Sequence, residues 1–416
     1  MIDKLIIKVK AGNGGKGAVS FNRDSNNSRG GPDGGNGGSG GNIILKGNSN
    51  LSDLNKYSYQ KAFVAENGSD GSKQKKSGSK GKNLILDLPI GCLVWEIDGD
   101  KKILVASILE DTSEIELYLG GYGGKGNTSF VSSQNKEPLL AESGQQSETY
   151  TLELDYRINS DLLLLGPPNS GKSSFLSYFS NAKPEINSYP YSTREPVVAI
   201  AKVNYSNIKL LELPSIDGGK GLGTDYFKHL YFAKFICFTL EHDHTFFHQI
   251  DELINTISSL DDLLLSKRFI LLVTKSDNID SDQRKIINKE LGERFPIISN
   301  KPFYFSTKSP ENNKEILDFV QSQSRGLSNV EGNNFTPTIN LRSQNSKKVK
   351  KSNSFYEILD KSFVQLAEGS DLSNWKALVQ FQYKLKRSKL SNELNNLGIR
   401  RGDKLKISNY EFTWEE

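Results

Sequence analysis

Residues Gly166–Ser174 read Gly-Pro-Pro-Asn-Ser-Gly-Lys-Ser-Ser, and the rest of the chain is best interpreted from them. The apolar run Leu162–Leu165 precedes the stretch and the helix-compatible segment Ser173–Phe179 follows it, which is the strand, loop and helix of a P-loop. Gly166 and Gly171 allow the backbone to curl so that its N–H groups point at phosphate oxygens, and the helix N-terminus adds partial positive charge. The stretch predicts a nucleotide site; a glycine turn that merely precedes a helix is the alternative.

Two side chains of this loop have the right chemistry for a nucleoside triphosphate. The Lys172 ammonium can reach the β- and γ-phosphates, and the Ser173 hydroxyl can ligate Mg²⁺. We therefore expect Mg²⁺ to accompany the nucleotide.

The composition limits the class of protein. A chain of 416 residues is long enough for two or three domains, and a net charge of +4 with a pI near 8.6 permits an RNA partner without requiring one. The two cysteines, Cys92 and Cys237, form no disulfide framework, which favours a reducing compartment. No run of 18 apolar residues and no signal-peptide pattern is present, so we expect a soluble, cytoplasmic protein without a membrane span.

Glycine is concentrated in the first third of the chain, where 25 of the 37 glycines lie at or before Gly144. Short β-like runs, such as Leu5–Val9 and Leu84–Leu88, alternate there with glycine stretches. Gly31, Gly34, Gly37 and Gly40 recur every third residue, which is the period of the polyproline II helix. The pattern predicts packed glycine-rich segments between strands; a flexible Gly/Ser linker is the alternative.

Residues 158–325 read as alternating strands and helices, which predicts a mostly parallel, doubly wound α/β sheet. The predicted strands are Leu162–Leu165, Ile208–Leu213, Phe235–Leu240, Phe269–Val273 and Phe303–Phe305, with a helix at Asp251–Leu265. Ligands of such sheets bind at the carboxyl ends of the strands, which is where the P-loop falls.

Two strand ends in this region have the chemistry to recognise guanine. Thr274-Lys275-Ser276-Asp277 follows one strand, and the Asp277 carboxylate can accept hydrogen bonds from N1–H and the exocyclic amine of guanine, which adenine cannot match. Ser306-Thr307-Lys308 follows the last strand, where backbone N–H groups can hold guanine O6. The alternatives are a helix-capping Asp277 and an ordinary turn at Ser306.

Two further segments occupy the places of nucleotide-dependent switches. Tyr189-Pro190-Tyr191-Ser192-Thr193 lies after the P-loop helix, and Thr193 is placed to ligate Mg²⁺ and sense the γ-phosphate. Glu212-Leu213-Pro214-Ser215 ends a predicted strand, where a second switch would begin, and the glycines between Gly218 and Gly223 follow it.

The remaining residues form a tether and a small module. Residues 326–352 are polar and end in a lysine cluster, which predicts a linker, with contact to RNA phosphates as the alternative. Residues 353–416 predict an α+β module with helices at Trp375–Lys386 and Asn392–Leu397 and a final strand pair.

Taken together, these motifs resemble the Obg family of GTPases over nearly the whole chain. The resemblance is carried by Gly30–Gly41, Ala65–Gly68, Gly120–Asn127, the P-loop, Tyr189–Thr193, Gly402-Asp403 and Tyr410–Trp414. It implies a multidomain fold: a glycine-rich polyproline II and β N-terminal domain (1–157), an α/β P-loop (Ras-like) GTPase domain (158–325), a linker (326–352) and a small α+β C-terminal domain (353–416). It also implies a role in large ribosomal subunit assembly and stress control, with GTP or GDP and the large subunit as partners of a monomer.

The resemblance extends the set of expected site residues. The GTP contacts would be Gly166, Pro167, Pro168, Asn169, Ser170, Gly171, Lys172, Ser173, Ser174, Tyr191, Ser192, Thr193, Arg194, Glu195, Glu212, Leu213, Pro214, Ser215, Thr274, Lys275, Ser276, Asp277, Ser306, Thr307 and Lys308. Lys172, Thr193 and Asn169 would be catalytic, and Ser173 and Thr193 would ligate the metal. Similar GTPases with an Asn at the Asn169 position use a monovalent cation, so K⁺ is a second candidate cofactor; a hydrogen bond from Asn169 to the loop backbone is the alternative.

The second switch departs from the family pattern. The usual Asp-x-Pro-Gly is Glu212-Leu213-Pro214-Ser215 here, the usual Asn is Thr274, and Ile216 cannot orient water as Gln does. The leading hypothesis is therefore a slow GTPase that binds ribosomal particles. A GTP-bound scaffold with little or no hydrolysis is the rival, and Asp277 argues against an ATP-dependent enzyme.

Overall fold

The structure is a computed structural model that describes most of the chain. The described residues are 2–23, 30–180, 195–203, 206–215, 224–298, 301–308, 313–324, 348–352 and 355–414. They form a glycine-rich β part, a central α/β part and a small C-terminal α+β part, which confirms the predicted fold class. No helix among these residues is long and apolar enough to cross a membrane.

The N-terminal part contains two sheets. Its strands are β1 (Lys4–Lys10), β2 (Ile43–Gly47), β3 (Ala62–Val64), β4 (Leu84–Leu88), β5 (Cys92–Asp98), β6 (Lys101–Ile108), β7 (Glu114–Tyr118) and β8 (Thr149–Tyr156). They are ordered β3-β1-β8-β5-β6 in one sheet and β4-β2-β7 in the other. In β1 the side chains of Ile7 and Val9 are buried while Lys8 between them is exposed, as the alternation in the sequence predicts.

The glycine stretches form a hydrogen-bonded bundle of extended segments. Backbone N–H groups at three-residue intervals donate to a second segment at 2.9–3.0 Å: Gly12 to Gly41, Gly15 to Gly38 and Ala18 to Gly35. Each step moves three residues forward in the first segment and three residues back in the second, so the two segments run antiparallel with the period of one polyproline II turn. The predicted glycine packing is therefore confirmed, and the flexible-linker alternative is wrong for the described glycine segments.

The central part is a six-stranded sheet flanked by helices. Its strands are β9 (Ser160–Leu165), β10 (Val197–Val203), β11 (Ser206–Glu212), β12 (Ala233–Glu241), β13 (Arg268–Thr274) and β14 (Phe303–Tyr304), in the order β10-β11-β9-β12-β13-β14. The β10–β11 pair is antiparallel and the other pairings are parallel. The helices are α1 (Lys172–Phe179), α2 (Phe246–Leu260), α3 (Ser281–Arg294) and α4 (Glu315–Ser324).

Strand β9 explains why the P-loop lies where it does. Leu162 and Leu164 belong to one hydrophobic cluster and Leu163 and Leu165 to another, so the strand is buried on both faces. A strand covered on both faces has a continuous apolar sequence. Strand β9 ends at Leu165, so Gly166 begins the P-loop at the carboxyl edge of the sheet.

The helix predicted at Asp251–Leu265 has different bounds in the structure. Helix α2 begins at Phe246 and ends at Leu260, and Asp262–Ser266 form a separate 3-10 turn. The Asp261 side chain accepts a hydrogen bond from Leu263 N–H, which caps the new turn. A short acidic side chain that satisfies a free N–H in this way favours the start of a new turn over continuation of the helix.

The C-terminal part contains four strands and three described helices. These are β15 (Val349–Lys351), β16 (Tyr356–Ile358), α5 (Lys361–Gly369), α6 (Trp375–Lys386), α7 (Lys389–Asn396), β17 (Lys404–Ile407) and β18 (Tyr410–Thr413). Strand β15 pairs with β16, and Val349 is buried in the C-terminal core. Residues 349–351, which were predicted as the end of the linker, therefore belong to the C-terminal part. The predicted second helix starts earlier, at Lys389, because Ser388 caps it by accepting from Leu390 N–H.

The C-terminal part packs against residues that follow the glycine bundle. Ser143 N–H donates to Gln365 O at 2.7 Å, and Leu139 N–H donates to Gln380 Oε1 at 2.8 Å. A Cβ added to Gly369 would lie 2.3 Å from the Ser143 nitrogen, so this glycine permits a close backbone approach. The contact fixes helix α6 relative to the N-terminal part.

Candidate nucleotide site

The P-loop has the backbone conformation that a phosphate cradle requires. Gly171 has φ +88° and Asn169 has φ +60°, both in the left-handed region. A Cβ on Gly171 would lie 3.1 Å from Thr274 Cγ2, and one on Gly166 would lie 2.2 Å from Thr239 O. Gly166 is thus needed for close approach, and Gly171 for both conformation and space.

Lys172 is folded back onto its own loop. Its ammonium donates to Gly166 O at 2.9 Å, to Pro167 O at 2.8 Å and to Ser215 Oγ at 3.1 Å. Burial lowers the pKa of this ammonium to about 8, and the carboxylate of Glu212 offsets part of the shift. A phosphate oxygen placed in the loop would replace these neutral acceptors with charged ones and restore the ammonium's usual preference for the protonated form.

The Ser173 hydroxyl donates to Glu212 Oε1 at 2.5 Å. Glu212 is the last residue of β11, and its side chain is 1% exposed, so a carboxylate and a hydroxyl oxygen lie together at the head of α1. Oxygen donors are the ligands that Mg²⁺ prefers. The pair therefore fits a magnesium ion, and Ser173 with Glu212 would hold it beside the phosphates.

The other residues of the predicted second switch are buried at the same edge of the sheet. Leu213 N–H donates to Leu164 O at 3.2 Å, Pro214 is buried, and Ser215 is 8% exposed against Lys172. The structure thus brings Glu212 into contact with the Ser173 hydroxyl and Ser215 into contact with the Lys172 ammonium.

Thr274 supports the loop from β13. Its hydroxyl donates to Ser170 O at 2.7 Å and lies 3.2 Å from Leu240 O, and the side chain is 1% exposed. Thr274 therefore ties the P-loop backbone to β12 and β13. It is a positioning residue in this structure, and its short side chain points at the loop.

The two guanine-recognition segments are in contact. Ser306 Oγ donates to Asp277 Oδ1 at 2.6 Å, and Lys308 Nζ lies 3.3 Å from Asp277 Oδ2. The hydrogen bond from Ser306, followed by the nearby Lys308, holds the pKa of the Asp277 carboxyl below its usual value. Asp277 is therefore ionised at neutral pH and presents acceptors only.

The neighbouring residues of these segments are arranged as follows. Lys275 has φ +51° and forms an ion pair with Glu241, while Ser276 is buried and its N–H donates to Phe305 O. Thr307 is exposed. The Lys275 side chain is thus engaged with Glu241 at the surface, and its predicted contact with the base stays a prediction.

The remaining predicted contacts lie at the rim of the site or outside the described residues. Pro167, Pro168 and Ser174 are half-buried, and Glu195 is exposed just before β10. Tyr191, Ser192, Thr193 and Arg194 lie outside the described residues, as does Ile216, so their predicted roles stay predictions.

Asn169 lies exposed at the tip of the loop. A K⁺ ligand and a hydrogen bond to the loop backbone both stay predictions for its side chain.

Asn313 is a site residue that the sequence reasoning missed. Its amide accepts from Ser306 N–H at 3.2 Å and donates to Ser306 O at 2.8 Å, and the side chain is 2% exposed. It fixes the loop that presents Ser306 to Asp277. The sequence Glu311-Asn312-Asn313 contains no signal that separates this asparagine from its neighbour.

Models of protein families match three successive parts of the chain. Residues 2–158 match the family described as GTP1/OBG, residues 161–275 match 50S ribosome-binding GTPase, and residues 347–414 match a domain of unknown function, DUF1967.

Curated relatives match over most or all of the chain. A GTPase Obg of Finegoldia magna is 32% identical over 100% of both chains, and one of Pseudothermotoga lettingae is 31% identical over 100% of this chain and 99% of its own. A GTPase Obg of Karelsulcia muelleri is 34% identical over 76% of this chain and 97% of its own.

Proposed function

This chain belongs to the Obg family of GTPases, and on that premise we propose that it is a slow, Mg²⁺-dependent GTPase that acts in large ribosomal subunit assembly and in stress and growth control. GTP binding and hydrolysis follow from the family. The observation that carries the site assignment is that the P-loop, Glu212 and the Asp277–Ser306 pair converge at one edge of one sheet.

Each part of the site has a separate task in this proposal. The loop N–H groups and Lys172 bind the phosphates, and Asp277 with the Ser306 loop selects guanine. Mg²⁺, when bound, supplies positive charge that offsets the charge developing on the phosphate oxygens. Ser173 and Glu212 are its described candidate ligands, and Thr193 is a further one.

The ribosomal role is supported by the family model named 50S ribosome-binding GTPase. We place the protein in the cytoplasm with the large subunit as its partner, and we propose that it acts as a monomer.

A GTP-bound scaffold is the second candidate function. It is favoured by Glu212, which replaces the usual aspartate of the second switch, and by Ser215, which replaces the usual glycine. In this structure Glu212 contacts Ser173 and Ser215 contacts Lys172. Single-turnover hydrolysis, measured with and without purified large ribosomal subunits, separates the two. If phosphate is released and the subunits accelerate its release, the protein is a GTPase. If GTP remains intact both with and without subunits, the protein is a scaffold.

Substitution Asp277→Asn should weaken GTP binding and relax the selection of guanine. The amide keeps one acceptor for two guanine donors, and an unpaired buried donor costs about 1–3 kcal/mol. Affinity for xanthosine triphosphate should rise, because its 2-carbonyl can accept from the new amide. Titration calorimetry with GTP, ATP and xanthosine triphosphate measures all three, with Asp282→Asn on α3, 81% exposed, as the matched control. Equal affinity of the unmodified protein for ATP and GTP would rule out this role of Asp277.

Potassium should accelerate turnover relative to sodium. We propose that the Asn169 side-chain carbonyl, exposed at the loop tip, ligates K⁺ beside the β- and γ-phosphates, where the cation would act as an arginine finger does. Asn169→Ala should remove the difference between the two salts and leave GTP affinity nearly unchanged, because the N–H cradle and Lys172 remain. Hydrolysis in KCl and NaCl at matched ionic strength is the measurement. Identical rates in both salts would contradict the proposal.

A further inference from the structure

Helix α6 presents an aromatic and basic face that the nucleotide site does not use. Trp375, Val379 and Tyr383 follow one another at four-residue intervals and are 66%, 43% and 49% exposed. The opposite face of the helix, with Ala377, Phe381 and Leu385, is buried in the C-terminal core. Trp375 is therefore left largely in solvent, and Tyr383 is half exposed with its hydroxyl donating to Gln134 Oε1 at 3.0 Å, on a helix whose other face already satisfies the packing of its domain.

The segment from α6 to the first turn of α7 carries charge of a single sign. Between Asp371 and Glu393 the sequence contains Lys376, Lys384, Lys386, Arg387 and Lys389 and no acidic residue. Cations near the end of α6 suit the helix dipole, but Lys376 lies in the first turn of α6 and Lys389 is the first residue of α7. Cations are unfavourable at helix N-termini, so the stability of the helices does not account for these two lysines.

The face borders a groove between the C-terminal and N-terminal parts. The groove has a volume of about 900 Å³ and is lined by Phe130, Val131, Leu140, Val379, Tyr383 and Lys384 among others. Its walls are held together, because Gln380 accepts from Leu139 N–H and donates to Glu137 O at 3.1 Å. The volume lies within the roughly 300–1,000 Å³ range of ligand pockets.

Cations and rings are already paired along the groove. Lys384 Nζ lies 4.2 Å from the Phe130 ring centroid, and the Arg387 guanidinium lies 4.6 Å from the Tyr383 centroid. Partial burial lowers the pKa of the Lys384 ammonium, and the Glu142 carboxylate offsets only part of that shift. An anion bound beside this ammonium would compensate for the solvent it has lost.

We propose that helix α6 and the adjoining groove bind single-stranded RNA. Exposed rings offer faces on which unpaired bases stack, and the five cations meet the phosphates between those bases. A duplex does not fit this surface, since its bases are already stacked on each other. The inference goes beyond the proposed GTPase function and does not depend on nucleotide hydrolysis.

The test uses the full-length chain and a fluorescein-labelled twelve-residue oligouridylate, with anisotropy as the readout. The double substitution Trp375→Ala with Tyr383→Ala should weaken binding at least about fivefold, because base stacking on a ring contributes that much or more per base. Trp375→Phe with Tyr383→Phe should retain binding, since the rings remain. Tyr59→Ala, which removes a 96% exposed ring in the N-terminal part, is the matched control and should bind normally.

Charge is tested separately by salt dependence. Lys376→Gln with Lys389→Gln should reduce the slope of log affinity against log salt by about 1.4, since each phosphate contact to a single strand contributes about 0.7. Lys285→Gln with Lys289→Gln on α3, both exposed, is the matched control and should leave the slope unchanged.

GTP affinity and circular dichroism, measured on the same samples, distinguish failure of this inference from failure of the nucleotide site or of folding. The proposal is overturned if the unmodified protein does not bind oligouridylate in 50 mM salt, or if a control variant weakens binding as much as its test variant. The proposal is also overturned if Trp375→Ala with Tyr383→Ala abolishes binding to ribosomal subunits but not to oligouridylate. The partner of this face would then be a ribosomal protein. Equal binding of a hairpin duplex would exclude the single-strand preference.

Discussion

Gly37→Val should unfold the glycine-rich part of the chain while GTP affinity stays nearly unchanged. A Cβ at Gly37 would lie 2.0 Å from Gly15 O, which is backbone and has no side chain to move aside. Overpacking costs about 1–3 kcal/mol even where flexible side chains can respond, so we expect a loss at or above the upper end of that range. The bundle also loses the bond from Gly37 N–H to Gly124 O, 2.8 Å long, if the segments separate.

The measurement is hydrogen exchange followed by mass spectrometry on the whole chain, because a multidomain protein has no single unfolding midpoint. Peptides that cover residues 12–23 and 30–41 should lose protection, while peptides that cover β9 and α1 should keep it. Gly31→Val is the matched control: it lies in the same glycine run, but a Cβ there would have no heavy atom within 4 Å. Equal protection in the two variants would show that the segments are not packed backbone to backbone at Gly37.

The fold could be predicted from the sequence wherever one local pattern determined it. The three-residue period around Gly37 and the continuous apolar run of β9 each correspond to one backbone geometry. Strands β3, β8, β10, β15 and β16 were missed. Strands β3, β15 and β16 are three residues long, too short to show a period of two, and pairing with a neighbouring strand defines them. Strands β8 and β10 do contain β-branched and aromatic residues, a signal from which they could have been predicted.

The candidate site was predictable in its parts but not in its contacts. The motif spacing predicts Lys172, Ser173 and Asp277, whose chemistry is local to a loop. The Ser173–Glu212 and Asp277–Ser306 contacts join residues 39 and 29 positions apart, so they depend on strand order in the sheet. The role of Asn313 could not be predicted for a similar reason, because it depends on the folded chain bringing Asn313 against the backbone of Ser306.

Glu212→Asp combined with Ser215→Gly should raise the rate of GTP hydrolysis. The Glu212 carboxylate reaches the Ser173 hydroxyl directly, at 2.5 Å, so the two candidate Mg²⁺ ligands are already paired with each other. Aspartate is one methylene shorter, so it would leave the Ser173 hydroxyl free to ligate Mg²⁺. Glycine removes the hydroxyl that holds the Lys172 ammonium at 3.1 Å, and it allows the backbone N–H to turn toward the γ-phosphate.

We expect an increase of about 10²-fold, comparable to the effect of one well-placed donor to transition-state charge. Single-turnover phosphate release measures it, and each single substitution should give a smaller increase. Glu252→Asp on α2, with a side chain 45% exposed, is the matched control for the shortened side chain.

A second readout does not depend on turnover. Magnesium titration of the GDP complex, followed by the release rate of a fluorescent GDP analogue, should change with Glu212→Asp alone, because Ser173 no longer shares its hydroxyl hydrogen with the longer carboxylate. If both the magnesium titration and phosphate release are unchanged in the double variant, Glu212 and Ser215 do not limit this enzyme. Another feature must then limit the hydrolysis rate, and the next variables to change are the residue at Asn169 and the monovalent cation in the buffer.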